Sequence, residues 1–346
     1  MSQFNSACPR SSQDLDEILS SPDERVLECL EQLSGDCLVL GAAGKMGYHL
    51  TRMIQAGFQK LDRQERVIAV SRFSDHRMKE RFESRSISVI QADLHDSESL
   101  EALPDAPNLF FLAGVKFGTN SRPELLQQMN EEMPRLVARR YAASRMVAMS
   151  TGCVYSFSTP ASGGSKETSE MKPPGEYAAS CISREEAFRQ QSEIGGTPTA
   201  IVRLNYSIDL RYGVLVDIAR AVLLGEPIDL STGFVNVIWQ RDAISQIIQC
   251  LSHASSPAWL VNITGGETLS VRELALGFAE RMGREPRFRG SESTHCWLSN
   301  SELARSTFGE PNMKLDTMMD WTADWLLRGM PLLGKPTHFQ VRDGNY

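Results

Sequence analysis

From residue 37 onward, short apolar runs alternate with stretches in which apolar residues recur every three or four positions. The runs at 37–41, 66–70, 87–91, 108–113 and 145–150 have strand length, and helical spacing follows at 46–58, 74–84, 97–102 and 122–143. Alternation at this interval predicts an α/β fold, a Rossmann-type doubly wound parallel sheet with helices on both faces and right-handed crossovers. A Ser-, Gly- and Pro-rich loop over 156–176 then leads to a predicted helix from about Tyr177 to Glu193 and a strand from Thr199 to Leu204. Helical patterns recur at Val214–Leu224, Asp242–Ser252 and Ser270–Met282.

Ahead of the alternation, Leu15, Ile18, Leu19, Val26, Leu27, Leu30 and Leu33 mark one or two helices over 14–33, broken near Ser21-Pro22. Residues 1–12 are polar and expected to be disordered. The organisation that follows is an N-terminal helical extension (1–35), an α/β domain (36–200), to which the motifs below assign dinucleotide binding, and a smaller lobe (201–346), to which they assign mainly substrate binding. Some segments of that lobe are expected to return to the Rossmann sheet.

Composition narrows the classes. With 346 residues, 41% hydrophobic and 23% charged, the chain has the make-up of an ordinary soluble protein large enough for a substantial core. A net charge of −7 argues against nucleic acid or an anionic membrane as main partner. No stretch approaches the ~20 apolar residues of a membrane span, and the N-terminus lacks a secretion-signal layout. Seven cysteines form no CxxC pair, and the six histidines show no ligand spacing. They read as reduced thiols of a cytoplasmic protein without a metal site.

Residues 38–47, Leu-Val-Leu-Gly-Ala-Ala-Gly-Lys-Met-Gly, place Gly41, Gly44 and Gly47 between the first strand and a helix. A pyrophosphate needs backbone N–H groups and a helix N-terminus aimed at it, unobstructed by side chains. The glycines, with Lys45 and Met46 between them, suit that purpose, although an ordinary strand-to-helix turn has the same outline. The second strand ends in Ser71-Arg72, with no carboxylate to bind a ribose 2′-hydroxyl. A hydroxyl followed by a guanidinium suits a 2′-phosphate, which favours NADP. If Arg72 instead stacks on adenine or faces solvent, NAD remains open.

Further motifs follow in order: Asp93-Leu94 after the third strand, Ala113-Gly114 after the fourth and Asn130 on the next helix. Then come Ser150-Thr151-Gly152-Cys153-Val154-Tyr155 at the fifth strand, and Tyr177 opening a helix. Over roughly 36–330 this series resembles the extended short-chain dehydrogenase/reductase family, the group of nucleotide-sugar epimerases and dehydratases. The resemblance implies cofactor contacts at the glycine turn, Asp93, Leu94, Ala113, Gly114 and Asn130. It implies that Thr151 anchors the substrate oxygen and that Tyr177 is the acid/base.

A tyrosine needs help in that role, because its ordinary pKa is near 10. In the family a lysine four residues on supplies a positive field and grips the nicotinamide ribose. Here that position is Cys181, and a neutral thiol does neither. Arg184, one turn further, and Lys116, beyond the fourth strand, are candidate substitute cations, each with a surface role as the alternative. Candidate substrate contacts are Cys153, Arg203 and Asn205 of Arg203-Leu-Asn-Tyr206, Arg211 with Tyr212, and Trp239, which is otherwise a buried core tryptophan.

The expected activity is therefore NAD(P)-dependent oxidoreduction, epimerisation or dehydration of a sugar-like or other hydroxyl/carbonyl small molecule. The alternative, raised by Cys181, is a catalytically impaired dinucleotide-binding sensor or scaffold. Extended members often dimerise through two helices per subunit, here 122–143 and 177–193, so a homodimer is expected.

Overall fold

The structure is a computed structural model that describes residues 8–115, 123–335 and 337–342. Each apolar run between 37 and 150 is a strand: β1 (Cys37–Leu40), β2 (Val67–Ser71), β3 (Ser88–Gln91), β4 (Asn108–Phe111) and β5 (Arg145–Thr151). The predicted sixth strand is β6 (Thr199–Leu204). All pair parallel in a seven-stranded sheet whose seventh member comes from much later in the chain.

Two helices, α1 (Ser12–Leu19) and α2 (Glu24–Gln32), precede the sheet, and the break at Ser21-Pro22 falls between them. Ser11 caps α1 by accepting from the Asp14 N–H, and Asp23 caps α2 by accepting from Val26. Order thus begins within the stretch expected to be disordered; residues 1–7 lie outside the described residues. The crossover helices are α3 (Gly47–Lys60), α4 (His76–Glu83), α5 (Ser97–Glu101), α6 (Pro123–Gln127), α7 (Met133–Arg140) and α8 (Glu176–Gly195). A π-helical turn at Gln128–Glu132 divides the helix predicted over 122–143 into α6 and α7.

The smaller lobe holds β7 (Ser207–Ile208), α9 (Val214–Leu224), β8 (Pro227–Asp229), β9 (Phe234–Val235) and β10 (Ile238–Trp239). Helix α10 (Gln240–His253) returns to the sheet and leads into β11 (Trp259–Ile263), which pairs with β6 as the outermost strand. Then come β12 (Leu269–Ser270), α11 (Val271–Met282), β13 (Arg287–Arg289), α12 (Glu302–Phe308) and α13 (Leu315–Leu327).

Side chains alternate across the sheet. In β1, Cys37 and Val39 join a core with Leu30 of α2, Ile54 of α3 and Ile247 of α10. Leu38 and Leu40 join the opposite core with Val137 of α7 and Phe188 of α8. Both faces are covered, which is why these strands read as continuous apolar runs. The lobe has its own core, in which Leu15 and Leu19 of α1 pack with α9, α11 and α13.

The extension is also tied down by charge. Asp16 is buried and accepts from His49 Nε2 at 2.9 Å and Arg211 Nη1 at 2.9 Å, with Arg81 on its other oxygen. Burial pushes the Asp16 carboxyl up, but the His49 hydrogen bond and the Arg211 and Arg81 charges outweigh it and hold the group well below the carboxylate range. Burial lowers His49, against the pull of Asp16, so its ring is neutral when folded. Both folded pKa values lie below the unfolded ones, so the unfolded chain binds more protons and stability falls as pH falls. The loss begins near the ordinary histidine value of 6.5 and deepens below 3.8, that of aspartate. Asp16→Asn is expected to cost about 3 kcal/mol by leaving Arg81 without an ion-pair partner and Arg211 with Asp209 alone. Thermal unfolding from pH 4 to 8 checks this, and an unchanged acid limb would refute it.

Candidate active site

Gly41 leaves β1 with φ +82°, and a Cβ there would meet the Ala113 backbone nitrogen at 2.6 Å. The turn therefore lies directly on the chain emerging from β4. Gly47 starts α3 so close to the Ala42 backbone that a Cβ would overlap it. In front of this turn is an open groove of about 450 Å³ at the carboxyl ends of β1–β4. Gly41, Gly44, Ser71, Arg72, Asp93, Leu94, Ala113 and Gly114 all line it, as the sequence led us to expect. Such a crevice, beyond the strand ends and beside a helix start, is where open α/β sheets bind dinucleotides.

Lys45, Met46 and Gly47 do not line the groove. Lys45 turns to the lobe, where Nζ donates to the Ser207 carbonyl at 3.2 Å and sits 4.1 Å from the Tyr212 ring centroid. Burial, countered by the Asp209 charge, lowers its ammonium to about 8. Met46 packs against the α3 side of the core. The Gly47 N–H is spent on the Gly44 carbonyl at 3.1 Å.

Asn130 is likewise a support, because it has no exposed surface. Its Nδ2 donates to the Val115 carbonyl at 3.2 Å and to Ser180 Oγ at 2.9 Å, and its Oδ1 accepts from Arg184 Nη2 and the Val115 N–H. The π-helical turn aims it at the chain after β4. Sequence spacing could place Asn130 on a helix but not reveal that bulge.

Tyr177 begins α8 in a buried cluster with Cys153, Tyr155, Cys181 and Trp297. Thr151 ends β5, and its hydroxyl accepts from the Cys153 N–H at 3.2 Å, capping the short turn that carries Cys153. The Tyr177 hydroxyl is hydrogen-bonded to the Cys181 thiol. Burial drives the tyrosine well above 10, Cys181 adds to the rise, and Arg184 opposes it. The same burial raises the Cys181 thiol, which is therefore a neutral donor or acceptor and no thiolate nucleophile.

Arg184 is no surface residue: it is 8% exposed, and Nη1 donates to the Met149 carbonyl of β5 at 3.3 Å. Its guanidinium lies against Gly114 so closely that a Cβ there would overlap it, and its Nε has no partner among the described residues. A buried cation thus lies behind Gly114, at the fourth-strand side of the groove. Lys116, the other candidate cation, lies outside the described residues.

Four proposed substrate contacts are placed elsewhere. Arg203 is 2% exposed and spends its donors on Glu185, Tyr155 Oη, the Glu167 carbonyl and Met171 Sδ. It braces the loop ahead of Tyr177. Asn205 is buried beneath Gly152 and donates to the Trp297 carbonyl at 3.3 Å. Arg211 belongs to the Asp16 network, and Trp239 is wholly buried, edge-on to Trp321 at 6.0 Å. Cys153 alone remains beside Tyr177.

The groove fits a dinucleotide: Gly41, Gly44 and Gly114 let backbone approach its centre, and the Arg184 guanidinium lies behind Gly114. Residues 37–208 match the model of the NAD dependent epimerase/dehydratase family, and the chain belongs to this family of enzymes. No curated protein matches the sequence.

Among solved structures, MoeE5 in complex with UDP-glucuronic acid and NAD is 20% identical, with a TM-score of 0.66, over 86% of this chain and 100% of that one. UDP-glucuronic acid 4-epimerase from Bacillus cereus, in complex with NAD, is 18% identical with a TM-score of 0.69, over 85% and 99%. UDP-glucose 4-epimerase from Thermotoga maritima, with UDP-glucose, is 17% identical with a TM-score of 0.68, over 85% and 99%. Among the described residues no helix is long and apolar enough to cross a membrane, and no acid, histidine or cysteine cluster could hold a metal.

Proposed function

We propose that this enzyme is an NAD(P)-dependent oxidoreductase or epimerase/dehydratase acting at a hydroxyl or carbonyl carbon of a sugar-like molecule. The observation that carries this is Arg184, a buried cation between Gly114, Asn130 and the Tyr177–Cys181 pair. It takes over the electrostatic part of the missing lysine's work from behind Gly114, a residue of the groove wall. When bound, the dinucleotide exchanges a hydride with the substrate carbon. Tyr177 transfers the proton at the substrate oxygen, and Thr151 holds that oxygen. With its pKa raised, the Tyr177 hydroxyl stays protonated at neutral pH, the form that donates to a carbonyl oxygen in reduction.

UDP-sugars are the first substrates to test, because MoeE5 and the epimerases of this shape carry them. The cofactor is NADP by preference. Ser71 and Arg72 end β2 in the groove, and Asp75, the nearby carboxylate, is occupied by Arg77 and the start of α4. Arg72→Ala is expected to weaken NADP binding roughly tenfold and leave NAD nearly unchanged, the loss of one charge-assisted contact. Calorimetric titration checks it, and equal loss for both dinucleotides would sink the NADP assignment. A cytoplasmic homodimer through α6–α8 completes the reading, and light scattering in solution tests the dimer.

A second reading is favoured by the same raised tyrosine: the chain binds dinucleotide as a sensor or scaffold and does not turn it over. A panel of keto- and hydroxy-sugars, UDP-sugars included, separates the two. Substrate-dependent change in dinucleotide absorbance, or an epimerised product, supports the enzyme. Tight dinucleotide binding with no conversion of any panel member supports the sensor.

A further inference from the structure

The groove is lined by one residue from far outside the nucleotide-binding half of the chain. Lys335 follows α13 on the C-terminal tail, is exposed, and lines the same cavity as Ser71, Arg72 and Ser74. The tail is fastened on both sides of it. The Leu333 N–H donates to the Arg211 carbonyl at 3.1 Å, and the Thr337 N–H and hydroxyl donate to Asp217 Oδ2 at 2.8 and 2.6 Å. Phe339 is buried beyond, and Val341 packs on the Tyr177 cluster. The lysine thus lies between two anchored points of the tail, Leu333 and Thr337.

Arg72 and Lys335 are the groove's two lysine or arginine residues, and among the described residues neither has an ion-pair partner. The acids beside them are engaged: Asp75 holds Arg77, and Asp93 accepts the His95 N–H at 3.1 Å. The cation of the glycine turn, Lys45, faces away. The central pyrophosphate is the business of the turn backbone at Gly41 and Gly44. What lacks an explanation is a pair of unspent cations at the end of β2. A phosphate monoester carries close to two negative charges, and one guanidinium matches only part of that.

Building on the NADP reading above, we infer that Lys335 is a specificity-determining residue of the cofactor site. The C-terminal strap delivers it to close on the ribose 2′-phosphate opposite Arg72. Lys335 touches neither the reacting carbon nor Tyr177, so its contribution lies in binding and in discrimination between the two dinucleotides.

The test is calorimetric titration of NADP and NAD into the full-length protein and its Lys335→Ala, Lys335→Glu and Arg72→Ala variants, at low and high salt. Thermal shift by each dinucleotide is the second readout. Lys335→Ala should weaken NADP roughly tenfold and leave NAD unchanged, with the difference shrinking at high salt. Lys335→Glu should weaken NADP further. Because Lys335 is exposed, the ligand-free melting temperature should not move. Equal losses for both dinucleotides, or no loss for either, while Arg72→Ala still discriminates, would overturn the role of Lys335 and leave the NADP reading standing. A wild-type protein that binds NAD better, with Arg72→Ala indifferent, would overturn both.

Discussion

Tyr177→Phe is expected to lower turnover by about 10²–10⁴-fold, the usual worth of a positioned proton-transfer group. Dinucleotide affinity should be almost unchanged. The substitution removes one oxygen from a buried cluster in which the ring itself does the packing, so the fold should tolerate it. What is lost is the hydroxyl beside Cys181, in the field of Arg184. Burial keeps that hydroxyl protonated, so reduction should be flat from about pH 6 to 9, while the reverse oxidation should climb with pH toward the raised tyrosine pKa. Steady-state rates in both directions, with cofactor binding measured separately, decide the matter. Activity surviving in the phenylalanine variant would move the proton chemistry to another group.

The parts of this enzyme that were legible in its sequence are those set by local chemistry. A βα turn needs glycine wherever the chain reverses at positive φ or runs against a neighbouring backbone, so Gly41 and Gly47 announced their places. Strands buried on both faces announced themselves as apolar runs, and Ser21-Pro22 announced the break between the first two helices. The destination of a long polar side chain is a different matter, because tertiary packing chooses it. Arg203 and Arg211 both sit near the expected substrate side, yet one meets a glutamate from α8 and the other an aspartate from α1. Neither partner is close in sequence. Strand β11 was missed because its buried Asn262, which accepts from Tyr155 Oη at 2.7 Å, interrupts the apolar run. Lys335 gave no signal at all: only the anchored tail brings it to the groove. Arg184 lay between these cases, since helical spacing put it one turn past Cys181 but could not show that it is buried.

Arg203→Ala is expected to destabilise the protein by about 3–5 kcal/mol, the cost of stranding a buried charge. Its partner Glu185 is 2% exposed, and removing the guanidinium leaves that carboxylate with Ser150 as its remaining side-chain donor. The damage should reach the site. Arg203 also holds the Glu167 carbonyl and Met171 sulfur of the loop before Tyr177, and Glu167 in turn accepts the Asn262 N–H of β11 at 2.8 Å. Releasing these contacts frees the segment that sets where α8 begins. Activity should therefore fall together with stability, through kcat more than through KM. If Arg203 bound substrate directly, KM would rise with little change in the unfolding midpoint. The double variant Arg203→Met with Glu185→Leu separates charge from packing, because replacing both partners by apolar groups of similar volume removes the stranded charge. It should recover at least half of the stability lost by Arg203→Ala in urea unfolding, with a coupling of about 2 kcal/mol or more between the two positions. Losses that simply add would mean that the ion pair is not what holds this edge of the sheet to α8.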